Sequence, residues 1–237
     1  MANNNLHPDI FGTEISPGFY TNSTNSKNIL EFTSSPRKED GPLASKDEED
    51  CIKQFYGESF DPNDAWIQTY SGKRFTPLNP NISAIDILDI AHALSNICRF
   101  TGHSEFYSVA QHSVLVSYIC NQENAFHGLM HDSSEAYCQD IASPIKKMPE
   151  FNTYREIEKK IQLAIATKFG FSHIEPEDVK KADLLLLATE QRDVMSAHRS
   201  DWNLNIEPLP FKIIPLAPTE AKNLFLKRFH ETKNNKK

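Results

Sequence analysis

The sequence predicts an all-α domain, a helical bundle that carries a small N-terminal β-hairpin and follows a polar, acidic arm. Three observations lead there. Apolar residues from Ile85 onward recur at three- and four-residue spacing, the period of one helix face. The chain of 237 residues holds only 8 Gly and shows no regular rhythm of short strands, which speaks against a large sandwich or barrel. The first sixty or so residues, rich in Asn, Ser, Thr, Lys and acids, show no sustained period and read as mostly disordered.

Taken in order, residues 1–63 form the arm, with eleven acids against five bases and a net charge of −6. A run such as KDEED reads as a solvated tail, with a regulatory or partner-binding segment as the alternative. Residues 64–232 form the folded domain. It opens with AWIQTY and RFTPL around Ser71-Gly72-Lys73, a hairpin that caps the helices. Helix one carries Ile87, Ile90, Ala91, Leu94, Ile97 and Cys98 on one face. A second helix spans about Ser108 to Cys120, NQEN makes a turn, and a third spans about Ala125 to Cys138. The prolines of SPIKKMPEF interrupt; a fourth helix then ends on Gly170, a C-cap residue, and a fifth starts near Pro176 with Asp178 favourably placed for its dipole. An extended Pro-rich connection from Ile206 to Pro218 leads to a last amphipathic helix and a basic tail.

The charge remaining for residues 64–237 is −1, which argues against a broad basic footprint for duplex nucleic acid. No run approaches the roughly 20 apolar residues needed to span a bilayer, and MANNNLHPDIFG lacks a basic region followed by an apolar one. A soluble, unexported, cytoplasmic protein is expected, with no membrane partner. Cys51, Cys98, Cys120 and Cys138 are far apart and form no C-x-x-C pair, so a disulfide framework or zinc ribbon is disfavoured.

The stretch that carries chemistry is His131-Asp132-Ser133-Ser134-Glu135. On a helix, His131 and Glu135 are i,i+4 neighbours and Asp132 and Glu135 are i,i+3 neighbours, so three ligand-grade groups share adjoining faces, a costly arrangement without a cation. His112 lies on the preceding helix. From His112 to Cys120 the chain climbs about 12 Å, and from Asn124 back to His131 it descends about 10 Å, at roughly 1.5 Å per residue. Across a short antiparallel turn the two histidines finish level. Asp183 stands in the apolar stretch VKKADLLLLA, where an inward carboxylate needs a partner. Two imidazoles and two carboxylates suit one divalent transition metal (Mn, Fe, Co, Ni or Zn) better than Mg or Ca, with activation of water as its task. Asp140 follows the same motif in order.

In ICRF, YSVAQHS, GLMHDSSEAYCQDIASPIKK and KKADLLLLATE, from about Asp64 to Met195, the sequence resembles the HD-domain metal-dependent phosphohydrolases. It looks closest to bacterial 5'-deoxynucleotidases and related phage deoxynucleotide hydrolases. The resemblance implies an HD-domain helical bundle in which His112, His131, Asp132 and Asp183 hold one metal. It implies catalytic roles for Glu135 and Asp140, and substrate binding by Arg99, Phe100 and Lys146. Phe100 departs from the pattern, since relatives often have Trp there. The chemistry agrees with these roles. A metal acidifies water and polarises a phosphoryl oxygen, Glu135 orients that water or relays its proton, and Asp140 protonates the leaving oxygen. Arg99 and Lys146 neutralise phosphoryl charge.

The expected function is removal of the 5'-phosphate from deoxynucleoside monophosphates, with a small-molecule nucleotide as partner and a homodimer left open. Two rivals stand beside it: a deoxynucleoside triphosphate triphosphohydrolase and a non-catalytic nucleotide-binding regulatory module. Around the motif, His127 and His92 read as structural or supporting histidines, and His103 is favoured slightly more as a substrate contact. Glu190 reads either as a surface salt-bridge residue or as a partner of Arg99 or the ribose, Arg192 and Asp193 as a surface pair, and Trp66 and Tyr70 as packing for the hairpin. Only His173 lies between the His131-Asp132 pair and Asp183, which favours one metal over two.

Overall fold

Short strands β1 (Ile67–Gln68) and β2 (Arg74–Phe75) pair antiparallel, Ile67 opposite Phe75 and Gln68 opposite Arg74, in a computed structural model that describes residues 65–196 and 202–234. The arm over residues 1–63 and Cys51 lie outside the described residues. Gly72 takes the left-handed φ of 81° that the turn requires, while its N–H donates to the Thr69 carbonyl at 2.9 Å. Asp89 of α1 (Ile87–Asn96) and the N-cap Asp86 just before it fasten the hairpin. Asp89, almost fully buried, accepts from the Ser71 N–H at 2.6 Å and hydroxyl at 2.8 Å. Asp86, the N-cap, accepts from the Leu88 N–H at 3.0 Å and from Lys73 Nζ at 2.7 Å. Phe75 then enters the core, stacked on Tyr137 with ring centres 4.0 Å apart.

Asp86 gives a direct test of this junction. The Lys73 hydrogen bond and the Leu88 N–H hold its carboxyl below the usual range. A depressed folded value means the stabilisation is complete above the unfolded value near pH 4 and fades as pH falls through the folded one. Asp86→Ala is expected to cost about 1 kcal/mol at pH 7, the usual worth of an N-cap, or about 2–4 °C in Tm for a domain of this size. Thermal melts at pH 7 and pH 3 check this: the gap from the native chain should narrow at pH 3.

The bundle is built around α2 (Val109–Ile119), which is capped by the Ser108 hydroxyl and packs against α1, α3 (Ala125–Met130), α7 (Glu177–Asp193) and α8 (Pro218–Asn234). Every residue from Val109 to Ser117 is buried, as expected of a helix enclosed on all sides. Gly128 permits the closest approach, for a Cβ there would lie 2.8 Å from Cys120 Sγ and 3.2 Å from Ser117 Cα. One core cluster gathers Ile90, Leu94, Phe126, Leu129, Ile161, Phe225 and their neighbours, and a second gathers Tyr107, Val116, Val179 and Leu186. The long helix α6 (Asn152–Phe169) ends as expected on Gly170 in the left-handed region at φ 73°.

The structure is mostly helical, as the sequence predicts, with two corrections. The expected third helix is broken: α3 stops at Met130, and α4 is only Glu135–Cys138. Between them the ladder is intercepted. The Met130 carbonyl, which a continuous helix would offer to the Ser134 N–H, instead accepts from the Ser133 N–H at 3.2 Å, the Ser133 hydroxyl at 2.7 Å and Gln162 Nε2 at 2.8 Å. The Ser134 N–H donates to Gln162 Oε1 at 3.1 Å. The second correction concerns Arg192 and Asp193, which are not a surface pair. The Asp193 side chain is 6% exposed and accepts from the Ile213 N–H at 2.8 Å, while Arg192 donates to the Leu209 carbonyl at 2.7 Å. Together with Gln111, which bonds the Ile214 carbonyl and the Leu216 N–H at 2.8 Å each, they fasten the extended connection to the bundle. Cys98, Cys120 and Cys138 are free thiols. Among the described residues no helix is long and apolar enough to cross a membrane.

Candidate metal centre

His112 sits mid-way along the enclosed helix α2, fully buried, with Nε2 facing the end of α3. Three atoms approach that nitrogen: His131 Nε2 at 3.3 Å, Asp132 Oδ2 at 3.5 Å and Asp183 Oδ1 at 3.2 Å. His131 Nε2 is also 3.2 Å from Asp132 Oδ2. The level meeting of the two histidines across the α2–α3 turn is therefore present, and the closeness permitted at Gly128 supports it. The break after Met130 removes the single continuous helix on which His131 and Glu135 would be i,i+4 neighbours. His131 is the C-cap of α3, its Nδ1 bonded to the Gly128 carbonyl at 2.8 Å, and Asp132 lies in the turn.

The donor set fits a metal ion. One imidazole nitrogen carries at most one proton and cannot satisfy three electronegative neighbours, whereas a cation among them can. Bonds of about 2.0–2.2 Å in tetrahedral directions separate donors by about 3.3–3.6 Å, close to the 3.3, 3.5 and 3.2 Å separating the donor atoms of His112, His131 and Asp132. One donor atom from each of His112, His131 and Asp132 lies within 4.8 Å of the other two, and Asp183 Oδ1 approaches His112 Nε2. Burial alone would discharge the groups of this cluster, and the charges of their neighbours reverse that. His131 is raised to about 9, burial opposing and Asp132 favouring the change. Asp132 is held well below the carboxylate range, against burial, by His131, His112 and Arg99.

Glu135, at the start of α4, is 4% exposed; its Oε2 has no protein partner, and its Oε1 is 3.8 Å from Lys146 Nζ. Burial, with Asp132 and Asp140 adding to it, pushes its carboxyl well above the usual range. Burial likewise raises Asp140, whose carboxyl also feels the charges of Arg99, Asp132, His112 and Lys146. Arg99 is inward-facing, with Nη2 3.1 Å from Glu190 Oε2 and Nη1 3.7 Å from Asp132 Oδ2. Phe100 follows in the left-handed region at φ 55°, its ring 5.2 Å from the Arg99 guanidinium carbon and 5.7 Å from the Trp202 ring. Lys146, at the end of the short helix α5 (Ser143–Lys146), is bonded to Glu158 at 2.7 Å. A cavity of about 230 Å³ opens beside the cluster, lined by His131, Asp132, Lys146, Lys159, His173 and Glu175 among others.

His112, His131, Asp132, Asp183 and Arg99 meet in direct contacts, Lys146 lines the adjoining cavity and approaches Glu135, Phe100 reaches the group only through Arg99, and among the described residues no contact brings Asp140 into it; several neighbours were missed. Glu158, Lys159 and Gln162 come from α6 and Trp202 from the segment before the extended connection; they read in the sequence as ordinary helix-surface and loop residues. Glu175, just before Pro176, carries only the signal of a helix start. His103 is exposed, its N–H closing the turn on the Phe100 carbonyl at 3.0 Å. His127 is buried edge-on to Phe171, and His92 stacks on Tyr70 at 3.7 Å. His92 thus packs on the hairpin, whereas His127 also lines the cavity beside the cluster, so the supporting reading of it stays open. Tyr70 and Trp66 are exposed by about half or more, with Lys222 and Arg74 respectively over their rings.

No family model matches the chain. Among curated proteins, it is 47% identical over 172 residues to the uncharacterized protein YfdR of Escherichia coli, an alignment covering 70% of this chain and 95% of that protein. It is 32% identical over 128 residues to an uncharacterized protein of Rhodobacter capsulatus, covering 50% of this chain and 65% of that protein.

Proposed function

We propose that this chain, which belongs to the family of the Escherichia coli protein YfdR, is a cytoplasmic metal-dependent phosphohydrolase that removes the 5'-phosphate from deoxynucleoside monophosphates. The observation that carries the reading is the meeting of His131, Asp132 and Asp183 on one buried nitrogen of His112, with Glu135 Oε2, which has no protein partner, as a further buried acid. These four residues would hold one divalent ion, which supplies Lewis-acid polarisation of a phosphoryl oxygen and a more acidic water.

The remaining steps belong to the chain. Arg99, already directed toward the cluster, offers its planar fork to the non-bridging phosphate oxygens. Lys146 adds a point charge, held in place by Glu158 and Glu135. Glu135 orients the attacking water and accepts its proton; the burial that raises its pKa also makes its carboxylate a stronger base. Asp140, held protonated to higher pH by burial, donates to the 5'-oxygen as the phosphorus–oxygen bond breaks. Phe100 and Trp202 supply apolar surface for the nucleoside.

Incubation with Mn, Co or Zn and each deoxynucleotide, followed by chromatographic separation of phosphate from tripolyphosphate, tests this directly. Nucleoside and inorganic phosphate should form from monophosphates, with diphosphates and triphosphates poor substrates. Lys159 on the cavity wall is the specific feature favouring the triphosphohydrolase rival, because it adds a cation beyond Lys146. Tripolyphosphate released from a triphosphate, with monophosphates untouched, would establish that rival, and nucleotide binding without any turnover would establish a regulatory module.

A further inference from the structure

The fully buried carboxylate of Glu190, two turns along α7 from Asp183, lies behind the cluster rather than in it. Its Oε1 accepts from His112 Nδ1 at 2.6 Å and its Oε2 from Arg99 Nη2 at 3.1 Å. The buried ring of Tyr107 also feels its charge. We propose that Glu190 is a positioning residue for the metal centre, fixing the His112 ring with its proton on Nδ1 so that the Nε2 lone pair faces the ion, while anchoring Arg99 beside the same ion. The inference rests on the reading of His112 as a ligand.

The geometry goes beyond what a structural ion pair requires. Burying a carboxylate in the bundle core is costly, and one partner, Arg99, would suffice to offset its charge. Glu190 instead divides its two oxygens between a ligand and a phosphate-binding cation. A neutral imidazole carries its proton on one of two nitrogens, and an acceptor 2.6 Å from Nδ1 decides which. It also leaves the ring little freedom to rotate away from Asp132 and Asp183. The 2.6 Å bond makes the ring a better donor to a cation, because the anion behind it raises the basicity of the nitrogen in front.

Co(II) titrations of the full chain, followed by visible absorption, test the assignment with the metal alone. Glu190→Gln keeps the shape and an acceptor oxygen but removes the charge. It should bind Co(II) roughly 10- to 100-fold more weakly, the usual effect of losing such a partner. Equal dissociation constants for the native chain and a cooperatively folded Glu190→Gln would overturn the proposal. A second measurement needs no variant: in the Zn-loaded native protein, the His112 Nδ1 proton should give a low-field, slowly exchanging NMR signal. A rapidly exchanging proton there would overturn the proposal even if the variant does not fold. Failure of the native chain to bind Co(II) would overturn the metal reading itself and this inference with it, whereas the two preceding failures leave that reading intact.

Discussion

His112→Ala is expected to abolish tight binding of a divalent ion and with it nearly all hydrolysis. His112 Nε2 is the meeting point of all three other donors, so its loss removes the centre of the cluster rather than one corner. Because an ion stabilises only the folded form that binds it, metal at a hundredfold excess over Kd should add about 2.7 kcal/mol to the native chain and nothing to the variant. Turnover of the best monophosphate should fall about 10³-fold or more, since a few kcal/mol of transition-state stabilisation are lost at about 1.4 kcal/mol per factor of ten. Asp183→Asn, nearly isosteric and with a side chain 39% exposed, should give the same metal loss with less disturbance of packing. Elemental analysis and melting with and without metal decide the matter, and unchanged metal content in both variants would remove the assignment.

Glu135→Gln should separate binding from chemistry. The substitution preserves the volume at a site that is 4% exposed and removes no proposed ligand, so metal content and nucleotide affinity should hold while turnover falls about 10²- to 10⁴-fold, the range of a general base. Stability should move the other way. A folded carboxyl raised by burial binds its proton more tightly than the unfolded one, so the native fold loses stability as pH rises above the unfolded value near 4.3. Gln carries no such penalty. At pH 8 the variant should melt at the same temperature as the native chain or above it, and a variant with wild-type rates would end the catalytic role of Glu135.

The legible and illegible parts of this protein divide by the range of the interactions that decide them. The course of α2 could be read because Ser108 caps it locally and its apolar residues have no polar face to contradict them. The level of the two histidines followed from helix rise alone. The break at residues 131–134 could not be read, because Ser133 intercepts the hydrogen-bond ladder together with Gln162, about thirty positions later, which also takes the Ser134 N–H. Arg192 and Asp193 looked like helix-surface charges for the same reason: their partners lie on the extended connection near Leu209 and Ile213. Glu190 shows the limit from the other side. Its seven-residue spacing from Asp183 placed it on the correct face, but only the three-dimensional structure puts one of its oxygens against His112 and the other against Arg99.

The Gln162 amide also governs how the ligand-bearing turn opens. It bonds the Met130 carbonyl, the Ser133 hydroxyl and the Ser134 N–H, so the segment that presents His131 and Asp132 is held by a helix that contributes no donor to the cluster. Those bonds must break before the turn can unravel, which joins α6 and the turn into one cooperative unit in the sense of hydrogen exchange. The stiffness of the turn that carries His131 and Asp132 therefore resides in a neighbouring helix.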